Sequence, residues 1–156
     1  MYLSLGSNLG DRAANLRAAI EALPAANVRV TKISSFYETE PVDFLEQPWF
    51  LNCAMEAETG LSPQELLRAL RGIEQSVGSK KEFAKGPRLL DVDILIYGNE
   101  TIDSPDLQIP HPRMLQRKFV LAPLAEIAPL LKHPTWGGTA AELSDASTDQ
   151  STIRKL

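Results

Sequence analysis

Residues 50–58 read Phe50-Leu51-Asn52-Cys53-Ala54-Met55-Glu56-Ala57-Glu58 and alternate between two faces. Successive residues of a strand point to opposite sides of a sheet, so this stretch predicts a strand with one apolar face. A helix start follows at Ser62-Pro63-Gln64-Glu65, which combines an N-cap, a proline at the first helical position and the acid of a capping box. This strand and helix form the centre of the predicted fold.

Patterns on either side give the remaining elements. Asp11 is a suitable N-cap for a helix that Pro24 ends, and the alternation of the next strand slips near Thr31-Lys32, as at a β-bulge. The other predicted elements are strands at residues 2–5, 28–37 and 89–97, a short strand at 101–102, and a helix at 119–127. The order β-α-β-β-α-β predicts an α+β fold of ferredoxin-like type, an antiparallel sheet with the helices packed on one face.

The chain has 156 residues, enough for one domain with a substantial core. We expect this domain to span residues 1–134. Over residues 135–156 the periodicity fades and Ser, Thr, Asp and Gly dominate, which predicts a polar, loosely ordered C-terminal tail. The formal net charge of −4 disfavours a nucleic-acid-binding protein, whose surface is basic overall. We expect a monomer whose partners are small molecules.

Disulfides, zinc sites and membrane segments are not indicated by the sequence. The single cysteine, Cys53, lies in the predicted core strand, and one cysteine with His111 and His133 does not make a zinc site. We see no signal-peptide pattern and no apolar run of membrane-spanning length, and therefore expect a cytoplasmic location without membrane association.

Two aspartates, Asp91 and Asp93, lie one residue apart in the apolar strand that follows Gly86-Pro87-Arg88. Residues i and i+2 of a strand face the same side, so the two carboxylates point together and repel each other. A divalent cation relieves this repulsion, and ligand sets made only of oxygen favour a hard ion such as Mg²⁺. Without its surroundings, the pair fits a solvated edge strand equally well.

Cations on both sides of the aspartate pair favour the metal interpretation. Seven of the chain's 16 Lys and Arg residues flank it, namely Lys80, Lys81, Lys85, Arg88, Arg113, Arg117 and Lys118. Metal-holding carboxylates between cations suit a polyphosphate bound with Mg²⁺, which indicates nucleotide chemistry.

Other residues have two interpretations each. Phe50 and Asn52 share one strand face, where they could stack on and hydrogen-bond to a flat heteroaromatic ligand or be an ordinary exposed pair. His111, between two prolines, is a rigid loop histidine or a phosphate donor. The turn Leu5-Gly6-Ser7-Asn8 lacks the glycine spacing and the lysine of a P-loop, and is more typical of a strand-to-helix connection than of phosphate contact.

Several motifs occur in a fixed order along the chain. They are Leu5-Gly6-Ser7-Asn8, Gln47-Pro48 with Phe50-Leu51-Asn52, Gly86-Pro87-Arg88 with Asp91-Val92-Asp93-Ile94, and Pro110-His111-Pro112-Arg113-Met114 with Arg117 and Phe119. Together they resemble the 6-hydroxymethyl-7,8-dihydropterin pyrophosphokinases of folate biosynthesis, from the first strand to about Pro129. The resemblance implies transfer of the β,γ-diphosphoryl group of ATP to the pterin hydroxymethyl oxygen, with release of AMP.

The resemblance also implies roles for individual residues. Asp91 and Asp93 are implied to hold two Mg²⁺ ions and to carry catalysis together with Lys81 and Arg88. The implied ATP-binding residues are Glu74, Lys81, Arg88, Ile94, His111 and Arg117. The implied pterin-binding residues are Thr39, Val42, Phe50, Asn52 and Phe119, with the two phenylalanines on either side of the pterin ring. Catalysis by such a site rests on positioning and charge neutralisation.

The chain departs from the family pattern in two places. The loop after the second helix has Ser79, Lys81 and Lys85, with Phe83 the nearest aromatic, where the best-known members have arginines and a tryptophan. Arg71 stands where a glutamine is expected. These departures bear on the closure of the loop over the substrates and leave the metal-binding pair untouched.

Two other functions fit parts of the sequence. A nucleotidyltransferase of polymerase-β type also pairs a Gly-Ser turn with two aspartates, but there only a short helix separates them, whereas Ser7 and Asp91 are 84 positions apart. A non-catalytic ferredoxin-like module that binds pterin and nucleotide is the third possibility, with the loop departures marking lost activity.

Overall fold

An antiparallel sheet forms the centre of the fold in the computed structural model, which describes residues 1–42, 44–78 and 86–156. The elements are β1 Tyr2–Ser7, α1 Arg12–Ala22, β2 Val28–Ile33, β3 Tyr37–Thr39, β4 Phe50–Thr59, α2 Pro63–Val77, β5 Asp91–Ile96, β6 Ile102–Asp103, β7 Gln108–Ile109, α3 Lys118–Ile127, α4 Ala140–Asp145 and β8 Ile153–Lys155. Lys81 and the rest of the basic loop from residue 79 to residue 85 lie outside the described residues.

The long strand β4 organises the sheet. One edge of β4 pairs with β1, which pairs in turn with β5, and the other edge pairs with β2 and then with β3. The sequence predicts one strand over residues 28–37, but the chain divides it into β2 and β3. The predicted bulge is confirmed, because the register of β2 on β4 shifts between Val30 and Lys32. A separate two-stranded sheet joins β6 to β7.

The helix ends follow the predicted capping chemistry. The Asp11 side chain accepts a hydrogen bond from the Ala14 N–H at 3.1 Å. Ser62 and Glu65 form the reciprocal capping box at the start of α2. Gly78 ends α2 at φ 89°, a left-handed backbone conformation that favours glycine.

The two helices of the predicted pattern, α1 and α2, pack on one face of the sheet, whereas α3 and α4 cover the other face. Alternate residues of β1 and β4, including Leu3, Leu5 and Met55, form one core with residues of α1 and α2. Cys53 is fully buried in this core, as predicted. The opposite face packs against α3 and α4 through a second cluster that contains Ala54 and Leu95. The pattern β-α-β-β-α-β ends before α3, and therefore gives no information about the face that α3 covers.

The C-terminal residues contain regular structure, so the prediction of a loosely ordered tail is wrong for them. Thr139 and Glu142 form a capping box at the start of α4, and Ala140 is fully buried in the second cluster. Strand β8 pairs with the outer edge of β3. Short polar elements of this kind carry little periodicity, because packing and caps rather than an apolar stripe hold them in place.

Within the described residues, none of the helices combines the length and the apolar character that a membrane crossing requires.

Candidate active site

A cleft lies on the face of the sheet that carries Asp91 and Asp93, and it encloses about 570 Å³ including the open solvent at its mouth. The predicted site residues that line it are Thr39, Val42, Phe50, Asn52, Arg88, Asp91, Asp93, Arg117 and Phe119. They come from β3, β4, β5, α3 and the adjoining segments. The fold thus brings together residues that are up to 80 positions apart in the sequence.

The strand register places the polar side chains in rows. Gly6 of β1 lies opposite Asn52 of β4 on one side and opposite Asp91 of β5 on the other, and Ser4 lies opposite Asp93. Val92, between the aspartates, is buried in the core with α1 and α2. Both carboxylates therefore face the cleft, which confirms the predicted orientation of the pair.

Gly6 makes room for the Asn52 amide. A Cβ atom at residue 6 would lie 2.5 Å from Asn52 Oδ1, far inside van der Waals contact. The Asn52 Nδ2 group donates a hydrogen bond to Thr39 Oγ1 at 2.6 Å, and Asn52 is only 4% exposed. Residues 6, 39 and 52 thereby hold one amide in a fixed orientation at the base of the cleft.

Two arginines lie over the two phenylalanine rings of the cleft. The Arg88 Cζ atom is 5.2 Å from the centroid of the Phe50 ring, and Arg117 Cζ is 5.5 Å from that of Phe119. Both distances are typical of cation–π contact. Arg88 Nε also forms an ion pair with Asp91 Oδ2 at 3.0 Å, but it makes no hydrogen bond there.

Asn8 holds together three segments that border the cleft. Its Nδ2 group donates to Gln47 Oε1 at 2.8 Å and to the Pro48 carbonyl at 3.0 Å, while its Oδ1 accepts from the Arg88 N–H at 2.8 Å. Asn8 is 2% exposed, so these bonds form away from bulk water. Asn8 thus holds residues that border the cleft in place, but it does not line the cleft itself.

A second hollow adjoins the cleft on the other side of β5. Among the predicted residues it is lined by Asp93, Ile94 and His111, and Arg71 also lines it. Asp93 therefore borders both hollows.

The surroundings of His111 favour a neutral ring that carries its proton on Nε2. Burial, with Arg117 and Arg113 nearby, lowers the pKa of His111 to about 4. Its Nδ1 accepts a hydrogen bond from the Arg113 N–H at 3.2 Å, so the ring proton lies on Nε2. A neutral imidazole with a free Nε2 proton can donate to a phosphate oxygen at neutral pH.

Glu74 lines neither hollow. Its Oε2 accepts a hydrogen bond from the Val92 N–H at 2.8 Å, and Oε1 accepts one from Arg71 Nη1 at 2.7 Å. The same Arg71 nitrogen donates to the Val92 carbonyl at 3.0 Å. Burial raises the pKa of Glu74, and the hydrogen bonds from Val92 and Arg71 act against this rise. The predicted contact of Glu74 with ATP stays a prediction.

The aspartate pair suits a hard cation whose coordination is completed by a ligand. Among the described residues, no group of three or more His, Cys, Asp or Glu side chains is arranged around a possible metal position. Mg²⁺ commonly takes one or two carboxylates and completes its shell with water and substrate phosphates. Two carboxylates facing an open cleft fit that donor set.

Several cleft residues were not predicted from the sequence. Ser4, Gly6, Glu40, Pro41 and Gln47 also line the cleft. Gly6 and Gln47 belong to the motifs of the sequence analysis, so their place near the site could have been predicted from those motifs. Glu40 and Pro41 lie in a loop without periodicity, and only the fold brings them to the cleft.

Comparison with known proteins identifies the family. The sequence model described as 7,8-dihydro-6-hydroxymethylpterin-pyrophosphokinase (HPPK) matches residues 2–129. A 2-amino-4-hydroxy-6-hydroxymethyldihydropteridine pyrophosphokinase of Bacillus subtilis (strain 168) is 46% identical over 154 residues, which cover 98% of this chain and 87% of that protein. The enzyme of the same name from Aquifex aeolicus (strain VF5) is 41% identical over 148 residues, covering 95% and 92% of the two chains.

Longer proteins also match. The folic acid synthesis protein fol1 of Pneumocystis carinii is 43% identical over 149 residues, which cover 96% of this chain but 20% of that protein. The crystal structure of wild-type Plasmodium falciparum HPPK-DHPS with pterin and p-hydroxybenzoate shares the fold, with a TM-score of 0.74 at 16% identity over 92% of this chain and 42% of that one. The family model and the near-full-length relatives agree, and the chain belongs to the 7,8-dihydro-6-hydroxymethylpterin-pyrophosphokinase family.

Proposed function

We propose that the chain transfers the β,γ-diphosphoryl group of ATP to the hydroxyl of 6-hydroxymethyl-7,8-dihydropterin, giving AMP and the pterin diphosphate. As a member of its family the chain is a pyrophosphokinase of folate biosynthesis. The observation that carries the assignment of sites is the position of Asp93, which borders both the cleft and the second hollow. Two substrates in these two spaces would meet at the aspartate pair.

The cleft suits the pterin. Phe50 and Phe119 both line it, and aromatic rings stack favourably on a flat heteroaromatic ligand. Asn52 and Thr39 supply a buried amide and a hydroxyl that can read the edge of the ring. The backbone at Val42 is the third proposed contact with that edge.

The second hollow suits ATP. His111 presents a neutral donor there, and Ile94 supplies apolar surface for the nucleoside. Arg88 and Arg117, which line the cleft, would contact the phosphates from the pterin side. Glu74 and Lys81 complete the proposed ATP-binding set, Lys81 on the strength of the sequence alone.

Asp91 and Asp93 are the proposed ligands of two Mg²⁺ ions. Bound there, the ions would supply charge neutralisation for the triphosphate. The chain's own contribution is positioning: the rings fix the pterin, and the arginines fix the phosphate oxygens.

The reaction balances without a further reactant. The hydroxymethyl oxygen forms a bond to the β-phosphorus, and the bond from this phosphorus to the oxygen bridging to the α-phosphate breaks. AMP leaves with that oxygen and its electron pair, and the hydroxyl proton passes to solvent. A dedicated general base is not required, because in a loose transition state the attacking oxygen has formed little bond to phosphorus and can keep its proton until late in the step.

We also propose the finer features of the molecule that the sequence predicts. Strands β1, β2, β4 and β5 with α1 and α2 would be a ferredoxin-like core, and residues 1–134 would form the pyrophosphokinase domain, against which α4 and β8 pack. The proposed state is a monomer in the cytoplasm that binds neither nucleic acid nor membrane.

The test is mass analysis of the products formed from Mg²⁺, ATP and the reduced pterin alcohol. AMP and a pterin diphosphate are expected in equal amounts. Release of diphosphate from ATP would indicate a nucleotidyltransferase instead, and binding of both substrates without turnover would indicate a non-catalytic module.

A further inference from the structure

The end of the chain contacts both walls of the cleft. One wall is the start of α3, where Arg117 and Phe119 line the cleft. The other wall is the end of β3, where Thr39 and the next residue, Glu40, line it. Residues 147–156, here named the C-terminal segment, lie beyond the range 2–129 that the family model matches. Their contacts with the two walls are therefore features of this chain rather than of the family model.

Asp149 caps α3 from a distance of 31 positions in the sequence. Its Oδ2 accepts a hydrogen bond from the Lys118 N–H at 2.9 Å, and its Oδ1 accepts one from the Ser151 N–H, also at 2.9 Å. The first N–H groups of a helix have no acceptor within the helix, and the Arg117 side chain at the N-cap position only donates. The Asp149 carboxylate supplies the missing acceptor, and its negative charge interacts favourably with the positive end of the helix dipole.

The hydrogen bonds of Asp149 favour the ionised form of its carboxyl group. Burial alone raises its pKa, but the hydrogen bonds from Ser151 and Lys118 outweigh burial, and the pKa is lowered overall. Asp149 therefore caps α3 as a carboxylate at neutral pH.

The C-terminal segment also holds the opposite wall. Ile153 of β8 pairs with Thr39 of β3. Beyond the end of β3, the Glu40 N–H donates to the Thr152 carbonyl at 3.0 Å, and the Thr152 N–H donates to Glu40 Oε1 at 3.2 Å. The pairing thus continues to a residue that lines the cleft itself.

We propose that the C-terminal segment sets the separation of the two cleft walls, and that Asp149 is a positioning residue for Arg117 and Phe119. Lys118 lies between these two residues, so fixing its N–H fixes the backbone from which both side chains leave. Without the cap, the first turn of α3 frays and the Phe119 ring loses its place in the cleft. The inference rests on the proposed function, since the ligand that it concerns is the pterin.

The test compares Asp149→Ala, Asp149→Asn and the control Asp145→Ala in the full chain. Asp145 is exposed at the end of α4. Pterin affinity is measured by calorimetry, and amide hydrogen exchange of residues 118–121 is measured without ligand. We expect Asp149→Ala to weaken pterin binding on the order of fivefold, as for the loss of a helix cap. Exchange at residues 118–121 should become faster.

The conservative variant separates positioning from general stability. Asn retains one acceptor oxygen and should restore part of the affinity and of the exchange protection, while Asp145→Ala should match the wild type in both. Unchanged pterin affinity or unchanged exchange in Asp149→Ala would overturn the inference, as would an equal loss in Asp145→Ala. Failure of the wild-type chain to bind the pterin would instead overturn the proposed function. If Asp149→Ala does not fold, the comparison of Asp149→Asn with the wild type decides.

Discussion

At the scale of single residues, Asn8 shows how one amide can serve a site that it does not line. Its two Nδ2 protons go to Gln47 and to the Pro48 carbonyl, and its Oδ1 takes the Arg88 N–H. A side chain of this length that both donates twice and accepts is available only in asparagine. The position of Arg88 next to Asp91 therefore depends on Asn8.

Replacing Asn8 by Asp should be costly although the two side chains have the same shape. The carboxylate would face the Pro48 carbonyl and Gln47 Oε1 without a proton to donate, inside a buried site. We expect a loss of about 2–3 kcal/mol in the free energy of unfolding, measured with urea. Asn99→Asp, at an exposed turn, is the control and should change stability little. Equal effects of the two variants would contradict the assigned bonds.

Replacing Asp93 by Asn should stop turnover without unfolding the chain. The change removes a charge proposed to hold Mg²⁺ at the junction of the two hollows, and it also relieves repulsion from Asp91. We expect the rate to fall on the order of 10³-fold, as when an electrostatic anchor of a transition state is lost. Circular dichroism should confirm the fold, and near-normal activity of a folded Asp93→Asn chain would refute the metal assignment.

At the scale of elements, β5 is an edge strand in the described part of the sheet, and side chains bind its outer backbone groups at Val92. Val92 lies between the two aspartates, and its N–H and carbonyl bond to Glu74 and Arg71 of α2. The ion pair thus takes the place of a further strand at this edge. It also ties the strand that carries the aspartates to the helix beneath it.

The two partners of Val92 should contribute unequally to stability. The Glu74 side chain is 13% exposed and that of Arg71 is 45% exposed, so water can replace Arg71 more easily. We expect Glu74→Ala to lower the free energy of unfolding by about 1–3 kcal/mol and Arg71→Ala by less than about 1 kcal/mol. Urea unfolding measures both, with exposed Arg68→Ala as the control. A larger loss for Arg71→Ala would contradict this order.

The elements that sequence patterns predict well are those whose own residues carry the signal. The alternation of β4, the capping box of α2 and the Asp91–Asp93 orientation follow from spacing within a few residues. The face that α3 covers and the order of residues 135–156 depend on distant partners such as Asp149 with Lys118. Local periodicity holds no information about such contacts.

The candidate site divides in the same way. Phe50, Asn52 and the aspartates lie on regular strands, where alternation fixes the direction of each side chain. Glu40 and Pro41 lie in a loop, and Glu74 turns to Val92 because that strand edge needs an acceptor. The places of Glu40, Pro41 and Glu74 cannot be predicted from sequence spacing, because tertiary contacts determine them.

At the scale of the whole molecule, stability should depend on pH through His111. The pKa of His111 is lowered to about 4 in the folded chain, below the usual value of 6.5. Between these values the unfolded chain binds more protons, so stability is full above about pH 6.5 and falls as the pH decreases towards 4. The expected loss from this residue is up to about 3 kcal/mol.

His111→Gln should remove this part of the acid sensitivity. Urea unfolding at pH 7.0 and pH 4.5 gives the loss of stability for each chain, and the wild type should lose more than the variant. Carboxylates titrate in both chains and cancel in the comparison. If the two chains lose the same amount, the acid sensitivity originates elsewhere.

The buried position of Cys53 has a practical consequence for labelling. Cys53 is the single cysteine of the chain, it is 0% exposed, and burial raises the pKa of its thiol to about 12. At neutral pH a maleimide therefore should not react with Cys53 in the folded chain, because the thiol is buried and protonated. A fluorophore can be attached through Glu46→Cys, at an exposed position near the cleft, with the native cysteine left in place. Such a dye would report substrate arrival in real time on an otherwise unaltered chain.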